Sequence, residues 1–99
     1  MNFSDCLSVT ISPSSTITVA SGETQTFTCH GTCTGSARAS LIRKQEGQQS
    51  YIDQGPRIMT ESDNGARFYC QGPGAESSRT RVNVTCNLLQ SSHAIVNRC

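Results

Sequence analysis

Six cysteines in 99 residues set the tightest limit on what this chain can fold into. A domain of this length hides only about 65% of the surface that its unfolded chain exposes. Its core must also be filled with no Trp, three Phe and two Tyr. Disulfides supply what such a core lacks, and they persist in oxidising compartments. The cysteine count therefore points to an extracellular route. Two N-glycosylation sequons, Asn2-Phe3-Ser4 and Asn83-Val84-Thr85, agree with it. No apolar run approaches the ~18 residues of a membrane span, and the N-terminus lacks the basic start and apolar stretch of a signal peptide. The chain reads as a mature ectodomain or a fragment of one, tied to a membrane only through flanking segments. A net charge of +1 gives no ground for nucleic-acid binding.

The stretch Asp63-Asn64-Gly65-Ala66-Arg67-Phe68-Tyr69-Cys70 organises the rest. A tight turn feeds a strand in which Ala66, Phe68 and Cys70 face inward and Arg67 and Tyr69 outward. Cys70 then needs a partner on a facing sheet. Cys29 is the best candidate, because it closes a second alternating run, residues 24–29, in which Phe27 shares its face. Other expected strands are residues 7–11, resumed at 16–19 after the break at Ser12-Pro13, then 38–44, a short edge strand at 50–53, 57–60, and 80–85 with Thr80, Val82 and Val84 inward. His30 to Ser36 reads as a loop, and residues 87–99 show no strand pattern. Short strands separated by turns at roughly 8–12-residue spacing indicate an all-β sandwich.

This arrangement resembles an immunoglobulin-superfamily domain over residues 7–85. Cys29 and Cys70 stand where the family bonds its two sheets, and Asn64-x-Ala66-x-Phe68-x-Cys70 is similar to the family's Asp-x-Gly/Ala-x-Tyr-x-Cys. Phe68 occupies the corner-tyrosine position and Leu41 the position of the core Trp, departures that favour a short I-set or C2-like member. Ser12-Pro13-Ser14, Gly22 and Thr28-Cys29-x-x-x-Cys33 resemble the first domain of intercellular adhesion molecules, and Gly65-Ala66-x-Phe68-x-Cys70 their second. That family's first domains carry an integrin-binding Glu near the end of the third strand. Arg43 stands there in this chain, so integrin binding by that route is not implied. The resemblance implies an immunoglobulin-like sandwich of two antiparallel sheets, stapled by disulfides, over residues 1–86, with residues 87–99 as a tail or stalk.

Six cysteines allow 15 pairings. In a sandwich, the start of the first strand and the loop after the second share one end, which favours Cys6 with Cys33. Cys86 is then left to Cys99, or Cys99 to another chain as a disulfide-linked dimer. Cys29, His30, Cys33 and Cys6 could also form a metal site, but no second His/Cys cluster accompanies them, and His93 stands alone in the tail. Thiols bound for disulfides do not serve as nucleophiles, so neither catalysis nor a cofactor is expected.

The basic residues carry the functional signal. All eight lie at position 38 or beyond. Strand parity turns Lys44, Arg67, Arg79 and Arg81 outward on three strands expected to adjoin in one sheet, with Tyr69 and Ile42 among them. Guanidinium forks suit planar anions, and Tyr offers rigid contact area. The alternative is an ordinary solvated face, neutralised by Glu46, Glu61 or Glu76 and shaded at Asn83 by a glycan. Asp53 reads as a solvated turn carboxylate. The expected function is a non-catalytic extracellular domain of a cell-surface adhesion molecule or immune-type receptor. It would bind another extracellular or cell-surface protein, a second copy of itself included. A secreted decoy, inhibitor or immune effector is the alternative.

Overall fold

A computed structural model describes residues 4–90 and 95–98, with side chains described for 4–86. The chain forms β1 (Cys6–Ser12), β2 (Ile17–Ala20), β3 (Thr24–Cys33), β4 (Ser40–Gln45), β5 (Gln48–Ile52), β6 (Gly55–Ile58), β7 (Arg67–Gly72), β8 (Ala75–Glu76), β9 (Thr80–Thr85), β10 (Asn87–Gln90) and β11 (Ile95–Arg98). One 3-10 turn, Glu61–Asp63, precedes β7. The strands make a three-stranded sheet, β1-β3-β6, and a larger sheet, β2-β9-β7-β4-β5, with β8 paired to β7.

The period-2 pattern puts one face of each sheet into a shared core. Val9 and Ile11 of β1 and Phe27 of β3 are buried with Leu41, Phe68, Cys70, Val82 and Val84 of the other sheet. Phe27 and Phe68 stack at 4.3 Å between centroids, beside the Cys29–Cys70 disulfide that joins β3 to β7. Closing a loop with a sequence separation of 41 stabilises the fold by about 4 kcal/mol on the chain-entropy model. Leu41, fully buried, fills the position where the family resemblance places a Trp. Phe68 cannot make the hydrogen bond of a corner tyrosine, but polar residues nearby tie the same region. Asn64 Oδ1 accepts from the Val84 N–H at 2.9 Å, and Thr80 Oγ1 donates to the Pro13 carbonyl at 2.6 Å.

Four expectations need correction. The sheets are not both antiparallel, because β2 runs parallel to β9, pairing Ile17 with Val82 and Ala20 with Thr85. Residues 13–16 carry the chain to the other sheet without reversing it, so β2 keeps the direction of β1. His30 to Cys33 is strand rather than loop. β1 pairs with it as far as Cys6 opposite Cys33, and those two cysteines are bonded. Glycine is required there by close approach: a Cβ on Gly72 would sit 2.6 Å from Cys6 Sγ, and one on Gly31 2.9 Å from Cys33 Sγ. The edge strand expected at 50–53 begins two residues earlier, at Gln48, and ends at Ile52. Beyond residue 86, where no strand pattern is visible in the sequence, the backbones of β10 and β11 pair antiparallel. Cys86 is disulfide-bonded. Its expected partner Cys99, like Asn2 and His93, lies outside the described residues.

Candidate interaction surface

The outer face of the larger sheet is built in rungs. Gln49 of β5 stands opposite Lys44 of β4, Lys44 opposite Arg67 of β7, and Arg67 opposite Arg81 of β9. Three cations therefore lie side by side, about 4.8 Å from strand to strand. Arg67 and Arg81 are exposed and Lys44 is half-buried. Among the described residues, no salt bridge involves any of the three. Glu46 lines the same shallow depression as Lys44 and Arg67, without an ion pair to either. Like charges placed directly opposite on a sheet destabilise it, so this row is held against local repulsion.

The next rung runs Tyr51, Ile42, Tyr69. Tyr69 was expected as exposed contact area, and this is corrected: it is only 2% exposed, as is Ile42. Outward parity does not mean exposure here. The Arg79 guanidinium lies 4.6 Å over the Tyr69 ring, and Gln49 Nε2 donates to its hydroxyl at 2.8 Å. Arg79 is thus engaged with Tyr69, with the Glu76 carboxylate 3.9 Å away. The aromatic on offer is Tyr51, 74% exposed on the outermost strand. Asn83, two residues beyond Arg81, is half-buried and opposite Thr18. Asp53 is exposed.

Beside this face lies a charge cluster of the opposite kind, which the sequence reading missed. Asp63 is fully buried at the end of the 3-10 turn. Its Oδ1 accepts from Arg43 Nε at 2.8 Å and Arg57 Nη2 at 3.0 Å, and its Oδ2 accepts from the Thr60 N–H at 3.1 Å. Burial disfavours the charged carboxylate, but the Thr60 N–H and the two guanidinium groups outweigh it and hold its pKa below the ordinary 3.8. Arg43 also donates to the Ser62 carbonyl at 2.7 Å. The signal that could have found Asp63 was Thr60-x-x-Asp63, the spacing of a capping box, and that box is present.

Among the described residues no three His, Cys, Asp or Glu side chains gather into a metal-binding group, and Cys6, Cys29 and Cys33 are all in disulfides. Neither a family model nor a curated protein matches this sequence.

Proposed function

We propose that the chain is an immunoglobulin-like extracellular recognition domain, of the kind found in cell-surface adhesion molecules and immune-type receptors, and that it binds an acidic patch on another protein through the outer face of its larger sheet. The observation carrying this reading is the row Lys44, Arg67 and Arg81, set side by side with no ion pair among the described residues. Solvation alone does not require three cations on one rung, whereas a partner's carboxylates would relieve their repulsion. The fold reading rests on the strand order. β9-β7-β4-β5 and β1-β3-β6 correspond to the G-F-C-C′ and A-B-E strands of such domains, with the disulfide joining the B and F positions. Disulfides, together with the absence among the described residues of a helix able to cross a membrane, fit an extracellular site of action.

Tetramers of the domain on intact cells test this. Binding should survive glycosaminoglycan lyases, vanish after surface proteolysis, and be lost in the Arg67→Ala, Arg81→Ala double variant although its melting temperature is no lower than that of the wild type. Undiminished binding of the double variant would remove the row as the site. Binding that survives proteolysis would remove a protein partner.

A further inference from the structure

Four strands stand at the ends of the two main sheets, and three of them are blunted against pairing. β2 has four residues, β6 contains Pro56 and Arg57, and β1 carries a register irregularity between Cys6 and Ser8 and already donates the Cys6 N–H to the Pro73 carbonyl. Shortness, proline, charge and bulges are the usual protections of a sheet edge. β5 has none of them. Gln48-Gln49-Ser50-Tyr51-Ile52 is five residues long, uncharged and free of proline, and its first four residues are exposed. It lies at the end of the larger sheet with only β4 beside it.

We propose that β5 pairs antiparallel with β5 of a second copy about a two-fold axis through Ser50, joining the two larger sheets into one. The register follows from symmetry. An axis normal to the sheet keeps both outer faces on the same side, so residues of like parity must pair, and pairing all five places Ser50 opposite Ser50 of the second copy. Gln49 then meets Tyr51 of the second copy, and Gln48 meets Ile52. In this register each cationic row runs on into the Tyr51-Ile42-Tyr69 rung of the other copy instead of its cationic row. The two Lys44 positions fall about 16 Å apart, twice the Debye length at physiological salt. The charge pattern that would oppose a stacked dimer is thus compatible with this one, which is why a second copy fits the edge. Both cationic rows would face the same way, so the pair would present two equivalent sites to one surface. The inference stands independently of what those rows bind.

Sedimentation equilibrium on the wild type, Ser50→Lys and Ser50→Glu tests the pairing. The wild type should dimerise at concentrations up to about 1 mM. Each variant puts two like charges on the axis, and each alone should associate at least tenfold more weakly. An equimolar mixture of the two should recover the dimer, which separates pairing at Ser50 from simple misfolding. A monomeric wild type over that range would overturn the proposal, as would variants that dimerise as well as the wild type or a mixture that fails to recover.

Discussion

Arg43 and Lys44 are consecutive on β4 and meet opposite electrostatic surroundings. Arg43 turns to the buried Asp63 carboxylate, which it shares with Arg57. Lys44 turns outward into a row with Arg67 and Arg81, without an ion pair among the described residues. One residue of strand pleat separates charge used to hold the fold from charge left for something else. In the first cluster the carboxylate is fully desolvated and its hydrogen bonds come from two side chains and a backbone amide, so removing one member strands the others. In the second, water screens every charge and removing one relieves its neighbours.

The contrast breaks most visibly at Asp63. Asp63→Asn should destabilise the domain by about 3–5 kcal/mol, lowering the melting temperature by on the order of 15 °C in a calorimetric scan. A loss below about 1 kcal/mol would mean that the cluster is dispensable. Acid probes the same carboxylate. Its native pKa lies below the unfolded value, so the stability it lends is complete above the ordinary carboxylate range and drains away as pH falls through the lower native value. Denaturant midpoints taken between about pH 6 and pH 2 should fall for the wild type. In Asp63→Asn that fall should be shallower, and parallel profiles would assign the acid sensitivity elsewhere.

Much of this was legible in the sequence wherever side-chain period and burial agree. Ala66, Phe68 and Cys70, and Thr80, Val82 and Val84, alternate cleanly and all six are buried. Cys29 and Cys70 close two such runs, and they are bonded. Legibility ended where long polar side chains decide the outcome. Tyr69 has the outward parity of an exposed residue, but the Arg79 and Gln49 side chains cover it, and no strand period encodes that cover. Asp63 sits in a polar turn that composition marks as solvent-facing, and two arginines, six and twenty residues before it, together with the Thr60 N–H make its burial tolerable. The pairing of His30 to Cys33 was hidden because Gly31 lowers local strand preference, whereas the neighbouring Cys33 sulfur needs the space left by a missing side chain.

The smallest expected effect is the sharpest, since it separates a row under repulsion from one that is quietly paired. We would follow the melting temperature of the wild type and of Arg67→Ala, Arg81→Ala from low to physiological salt. If the row is unpaired, salt should raise the wild-type value by about 1–3 °C, and the double variant should start higher and respond less. A wild type that loses stability on adding salt, with a double variant that starts lower, would show these cations already paired within the domain and contradict the account.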